Sequence, residues 1–390
     1  MNVPTFRFEG MPRLVFGDGT IGTVAELAAQ YGRRVLLVTG QRSFARATAL
    51  FDAMHATGLE LERCTVSGEP SPALVDEAVK SSAGVDVVVA VGGGAVVDAG
   101  KAISAMLPAG KPVRDYLEGV GAKKPSGEKI PFIACPTSAG TGAEATKNAV
   151  LSEVGPRGFK KSLRHQRYIP DAVVIDPDLA VSCPREVTAA CGLDALTQLL
   201  EAFVSKEANP ASDAFARSGL LAASGSLLRV CGEGAGETAA RAQMAWAAFC
   251  SGVALAHAGL GVVHGLASPL GGFYRVPHGV VCGTLLPAAT EVNVRRAVKG
   301  DGGDGTVARY AEVGRLLSGE PGADDETACR LLVDTLWAWK RHLGIPPLSA
   351  FGVGVEDKVL DATGLKQNPV PLATEDLRRI LLDSGANPTC

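Results

Sequence analysis

Asp194 and Gln198 stand four residues apart, a spacing that places both side chains on one face of a helix, near its start. His264 and Ser268 repeat that spacing, and His278 follows in Gly271-Gly-Phe-Tyr-Arg-Val-Pro-His-Gly279. One carboxylate and two imidazoles suffice to hold a divalent cation such as Zn²⁺ or Fe²⁺, because both donor types suit these ions. Each histidine taken singly is more often a satisfied core or surface residue than a ligand. His55, His165 and His342 have no comparable company.

A second constellation lies far upstream, in Val85-Asp-Val-Val-Val-Ala-Val-Gly-Gly-Gly-Ala-Val-Val-Asp-Ala-Gly-Lys101. Val87 to Val91 is an unbroken apolar run, as in a strand buried on both faces of a parallel sheet. Gly92, Gly93 and Gly94 then let the backbone turn and approach a ligand where a Cβ would collide. Ala95 to Leu107 is predicted as a helix with Asp98 in its first turn. Strand, bare loop and helix N-terminus together form an anion seat, since free N–H groups and the positive end of the helix dipole face the loop. A tight strand–helix connection without a ligand has the same pattern, and Val97 stands where a full G-x-G-x-x-G fingerprint has its last glycine. The hydroxyl- and glycine-rich segment Thr137–Thr146 is either a solvated loop or a second rim around a ligand.

These segments need a frame. Buried strands are predicted at Arg34–Thr39, Glu60–Val66, Val87–Val91, Pro131–Pro136 and Ala172–Asp176, and an edge hairpin within Thr5–Phe16. Helices are expected near Ile21–Tyr31, Ala45–Thr57 and Ala73–Ser82. Alternating strands and helices point to a doubly wound parallel sheet, whose ligands sit at the carboxyl ends of the strands. Thr39–Ser43, Gly92–Gly94 and Thr137–Thr141 all lie at such ends. After Asp176-Pro-Asp178 the apolar spacing turns helical, near Val187–Ser205, Ser212–Val230, Glu237–His257 and Cys329–Leu343. The glycine-rich block Gly259–Gly283 and the Gly300–Gly305 loop interrupt it. The division is therefore an α/β domain over residues 1–178 and a helical domain over 179–390.

Composition narrows the classes. A chain of 390 residues is long enough for two cores. With 38 basic and 41 acidic residues, there is no electrostatic case for nucleic acid or an anionic membrane. No apolar stretch is expected to span a bilayer, and Met1–Arg7 lacks the layout of a secretion signal. Nine cysteines scattered from Cys64 to Cys390, without a C-x-x-C pair, suit reduced core thiols in a cytoplasmic protein.

Taken in order, Gly92-Gly-Gly-x-x-x-Asp98-x-x-Lys101, Pro136-Thr-Ser-Ala-Gly-Thr-Gly-Ala-Glu144, Asp176-Pro177, Gly192-Leu-Asp-Ala-Leu196 with Glu201, and His264 with Pro277-His-Gly279 resemble the iron-containing (group III) alcohol dehydrogenases. The match runs from about Pro12 to the C-terminus. The resemblance implies an N-terminal Rossmann-like α/β domain, an all-α metal-binding domain, and a cleft between them. It further implies hydride transfer between NAD(P) and an alcohol or aldehyde, in a homo-oligomer such as a dimer. Carried over by residue, the cofactor diphosphate meets Gly93, Gly94 and Asp98, while Thr137, Ser138, Thr141, Thr146 and Lys160 line its path. The family holds its metal with one Asp and three His; here the positions are Asp194, Gln198, His264 and His278. The amide of Gln198 is a neutral, weaker donor, acting as fourth ligand or as a group behind the ligands. Ser268 stands where the family often has another His, and a hydroxyl relays a proton without acting as a base. The chain is thus similar to a subgroup with Gln and Ser at two histidine positions.

In NAD-preferring relatives an acidic residue often follows the second strand and binds the adenosine ribose. Here Gly40-Gln41-Arg42-Ser43 has no carboxylate, and Arg42 could pair with a 2′-phosphate, which favours NADP(H). Three rivals remain: a metal-independent reductase of the maleylacetate type orienting a carboxylated substrate through Arg275, a dehydroquinate-synthase-like lyase, and a non-catalytic nucleotide or metal sensor. Phe273, Tyr274, Trp246 and Phe249 are near enough in sequence to His264 to line a substrate pocket, although packing suits most of them better.

Overall fold

The computed structural model describes residues 5–388 (the Arg46 side chain aside). Cys390 and most of the segment weighed as a secretion signal, Met1–Pro4, lie outside them. Among the described residues eight strands occur: β1 Arg13–Phe16, β2 Arg34–Thr39, β3 Glu60–Thr65, β4 Val87–Gly92, β5 Phe132–Pro136, β6 Asn148–Glu153, β7 Phe159–Arg164 and β8 Ala172–Ile175. Six of them form one parallel sheet in the order β1-β8-β5-β4-β2-β3. The strand order reverses between β2 and β4, which is where a ligand crevice opens in such sheets. Every residue of β4 and β5 is buried, as a strand covered on both faces must be.

Helices α1 Val24–Ala29, α2 Gln41–Arg46, α3 Thr48–Ala56, α4 Pro72–Ser81 and α5 Gly94–Ala109 accompany the sheet. Beyond β8 all the longer elements are helical: α6 Asp178–Val181, α7 Arg185–Val204, α8 Pro210–Val230, α9 Thr238–Ala258, α10 Val262–Phe273, α11 His278–Val298, α12 Thr306–Ser318, α13 Asp325–Leu343, α14 Asp357–Asp361 and α15 Thr374–Asp383. An α/β domain followed by a helical one is therefore the architecture. Two apolar cores clothe the faces of the sheet; one gathers around α7, α8 and α9, and another around α10, α11 and α15.

Several expectations need correction. Thr5–Phe16 forms no hairpin, because Arg13–Phe16 pairs in parallel with Ala172–Ile175. The Gly40–Ser43 turn enters a short helix. The glycine-rich block Gly259–Gly283 is mostly helical, folding as α10 and the start of α11. One helix, α7, is apolar and long enough to span a bilayer by composition, contrary to expectation, but 89% of its apolar window is buried inside the protein. It is a core helix, and Asp194 sits at its middle, not near its start. The antiparallel pair β6–β7 was not foreseen, since Phe159-Lys-Lys-Ser-Leu-Arg164 carries too much charge to read as a strand.

Candidate active site

The bare loop does what its glycines require. α5 begins at Gly94 with extended Gly93 as N-cap and no side-chain cap, leaving its first amides turned to the crevice. A Cβ at Gly94 would lie 2.5 Å from Thr141 Oγ1, and one at Gly93 would lie 3.1 Å from Ser138 Oγ. The Thr137–Thr141 rim thus closes directly over the loop, tied to it by Thr137 N–H donating to the Gly92 carbonyl at 2.9 Å. Asp98 is in the second turn of α5, and burial pushes its carboxyl up to about 7 against the pull of Lys101.

Lys101, quoted in the motif but given no role from sequence, fixes this rim. Its side chain is 1% exposed, and Nζ donates to the carbonyls of Ala143, Thr146 and Asn148 at 2.5, 2.6 and 2.7 Å. Burial lowers its pKa to about 8, so an ammonium with three donors meets three acceptors at neutral pH. Lys101→Met should strip the Thr146 carbonyl of its donor and leave those of Ala143 and Asn148 with only the longer bonds from Thr146, at a cost of about 2–3 kcal/mol. Urea unfolding curves check this; a variant as stable as wild type would remove Lys101 from the account.

The ligand residues come from three helices. α11 lies close on α7 because Gly279 and Gly283 carry no side chain: a Cβ there would meet the Ala190 carbonyl oxygen at 2.5 Å and Leu193 Cδ1 at 2.8 Å. That contact brings His278, the first residue of α11, to Asp194 on α7, with His278 Nε2 3.7 Å from Asp194 Oδ1. His264, in the first turn of α10, places Nε2 3.3 Å from the same oxygen. Glu201, one helical face along from Asp194, accepts from Val263 N–H at 2.7 Å with Oε1, while Oε2 lies 2.7 Å from His264 Nδ1. This carboxylate fixes the ring so that Nε2 is the free donor atom, a common arrangement behind metal-bound histidines.

Electrostatics agree with an ion site. Burial alone would raise Asp194, yet His278 and His264 hold its carboxyl down at about 2. Burial and the Lys160 ammonium push His278 down to about 4, leaving a neutral imidazole. His264 is held well above the usual imidazole range: burial opposes its charge, and Cys282, Asp194 and Glu201 around it prevail. A bound dication would take the place of that proton. Asp194, His264, His278 and Cys282 offer ligand atoms that all lie within 4.8 Å of one another, so the residues present fit a divalent metal.

A cleft of about 310 Å³ joins these parts, lined by Gly94, Asp98, Thr141 and Thr146 on one side and Gln198, His264, Ser268 and His278 on the other. Lys160 and Ser162 of β7 form its roof, with Leu255 and Leu260 as an apolar wall. Lys160 Nζ pairs with Glu69 at 3.1 Å, and Ser268 Oγ donates to the Lys160 carbonyl at 3.1 Å. Gln198 Oε1 accepts from Ser251 Oγ at 2.6 Å. Gly40, Arg42 and Ser43 sit at the end of β2, beside the switch point and outside the lining of this cleft. Arg275 is exposed and off the cleft. Phe273, Tyr274, Trp246 and Phe249 do not line it either; they pack in or against the cores. A larger groove between α4 and α5, about 470 Å³, lies at the amino ends of the strands, away from this chemistry.

Cys282 was missed. It was counted among scattered core thiols, although its i, i+4 spacing from His278 was a readable sign. The β6–β7 roof had no such sign.

Family comparison agrees with this arrangement. The model described as "Iron-containing alcohol dehydrogenase" matches residues 12–177, and that described as "Fe-containing alcohol dehydrogenase family, C-terminal" matches 188–384. The chain is 32% identical over 379 residues to lactaldehyde reductase of Escherichia coli (strain K12), covering 93% of this chain and 95% of that protein. It is 29% identical over 387 residues to the NAD-dependent methanol dehydrogenase of Bacillus methanolicus, covering 95% and 97%. Among solved structures, a 1,3-propanediol oxidoreductase superposes with a TM-score of 0.86 at 28% identity, covering 98% of this chain and all of that one.

Proposed function

The chain belongs to the iron-containing alcohol dehydrogenase family, and from that premise we propose that it interconverts an alcohol with an aldehyde or ketone, using NAD(P) and a divalent metal. The observation that carries the reading is the convergence of Asp194, His264 and His278 on a cleft that also receives the uncapped N-terminus of α5. When bound, the ion polarises the substrate oxygen as a Lewis acid. A bound nicotinamide would supply or accept the hydride. The chain's own residues do the rest. Gly93 and Gly94 admit the diphosphate to the amides of α5, with Asp98, Thr137, Ser138, Thr141, Thr146 and Lys160 along its path. Glu201 holds His264 in one tautomer. Ser268 Oγ keeps lone pairs free to pass a proton, as a relay and not as a base. Leu255 and Leu260 keep water from one side of the cleft.

Substrate is a small alcohol or aldehyde, and the setting is cytoplasmic, in keeping with eight free thiols among the described residues. The edge strand β1 is preceded by half-exposed Phe6, Phe8 and Met11, an apolar margin suited to a second copy of the chain in a homodimer.

Cofactor choice is testable at Gly40. No carboxylate follows β2, and Arg42 is exposed. A phosphate contact there is worth about 1.5–3 kcal/mol, roughly a tenfold to hundredfold preference for NADPH in kcat/KM. The nearest atoms to a Cβ at Gly40 lie 3.8 Å away, so the Cβ of an aspartate is accommodated there. Over a panel of aldehydes, wild type should favour NADPH, and Gly40→Asp should swing toward NADH. A strong NADH preference in wild type, or no swing in the variant, would mean that this loop does not select the cofactor. Absence of any NAD(P)H turnover across aldehydes, ketones and keto acids, with metals added singly, would reject the dehydrogenase reading itself.

A further inference from the structure

Helix α11 presents two potential ligands on one face, His278 and Cys282, four residues apart. Cys282 is fully buried, with Sγ 3.7 Å from His264 Nε2 and 3.8 Å from His278 Nε2. His264 Nε2 and His278 Nε2 stand 3.3 and 3.7 Å from Asp194 Oδ1. Bonds of about 2.0–2.3 Å at tetrahedral angles put donor atoms roughly 3.3–3.8 Å apart, so these four separations match four edges of one coordination shell. Gln198 does not complete that shell as well. It is 3% exposed, and its carbonyl oxygen already accepts a short hydrogen bond from Ser251.

Resting on the metal-dependent reading above, we propose that the fourth protein ligand is the Cys282 thiolate, not the Gln198 amide, and that the site therefore selects zinc over iron. Charge supports this choice. A dication held by Asp194 and the Gln198 amide would leave one buried positive charge, whereas a carboxylate and a thiolate neutralise it fully. Binding replaces the proton of Cys282: the S–H bond breaks, the proton leaves to solvent through the cleft, and the sulfur lone pair forms the bond to the metal. Softness sets the selection, because thiolate favours zinc where carboxylate and imidazole alone discriminate less. Gln198, held by Ser251, becomes a positioning residue on the wall of the site.

Cobalt is the probe. Metal-stripped wild type, Cys282→Ser and Gln198→Ala should each be titrated with Co²⁺, with circular dichroism confirming the fold. Wild type and Gln198→Ala should show thiolate-to-cobalt charge-transfer absorption in the near ultraviolet, and Cys282→Ser should lack it. In competition against a chromophoric chelator, Cys282→Ser should lose Zn²⁺ affinity by about tenfold to hundredfold or more, and Gln198→Ala distinctly less. Cobalt d–d bands without charge transfer in wild type would overturn the thiolate ligand while leaving the metal site standing. So would Zn²⁺ affinity that survives Cys282→Ser but collapses in Gln198→Ala. No Co²⁺ or Zn²⁺ bound by wild type, verified by elemental analysis, would reject the metal-dependent reading and this proposal with it.

Discussion

Asp194→Ala should strip the protein of its divalent ion and lower kcat/KM by about a thousandfold, the loss expected when several kcal/mol of Lewis-acid help disappear. Asp194 is 1% exposed and is the only carboxylate among the four converging donors. Its charge is the fixed term in the site, since His278 is held neutral and Cys282 is pushed up to about 12 by burial when no cation is near. Removing it leaves a dication facing neutral imidazoles with at most one thiolate to balance it in a buried place, where an unbalanced charge is costly. Asp194→Asn keeps the shape and removes the charge, so it should show the same loss of metal with little change in the melting temperature. Full metal content by elemental analysis together with unimpaired turnover in either variant would end the metal-assisted account.

Gly93→Val should weaken dinucleotide binding by about a hundredfold or more, the equivalent of two charge-assisted phosphate contacts. The choice of position matters. A Cβ at Gly94 would press on Thr141 at 2.5 Å and shift the rim, mixing a folding defect with a binding one. At Gly93 the nearest atom is Ser138 Oγ at 3.1 Å, the end of a side chain that can rotate away, so the fold should survive. The branched methyls then stand over the uncapped amides of α5, where the diphosphate must come. Calorimetry with NADPH and NADH reads the effect directly, and unchanged affinity for both would remove the anion seat from this loop.

What was legible in the chain was what local chemistry controls. The valine-rich run of β4 and the glycines after it announced a buried strand ending in a ligand loop, because a strand covered on both faces shows an apolar run without polar alternation. Helical spacing after Asp178 was equally plain. The β6–β7 pair was not, since Phe159-Lys-Lys-Ser-Leu-Arg164 carries too much charge to read as a strand. Proline and glycine obscured α10 and α11 for a related reason: Gly279 and Gly283 lie inside a helix because close packing on α7 demands them, which overrides their weak helix propensity.

The same division holds for the site. Residue type and spacing alone determined that Asp194, His264 and His278 could hold a metal, that Gly92–Gly94 could seat an anion, and that the β2 loop carries no carboxylate. Only the tertiary structure decided which of these groups meet. His264 and His278 reach Asp194 across about seventy to eighty intervening residues, through the packing of α10 and α11 on α7, and no periodicity spans that separation. It also brought in a residue that the sequence placed elsewhere: Asp194 and Gln198 share a helix face, the Gln198 amide oxygen accepts from Ser251, and Cys282, from another helix, enters the donor cluster. Spacing along one helix sets direction to within a turn, but a coordination shell is decided by fractions of an ångström between helices, and those come from packing.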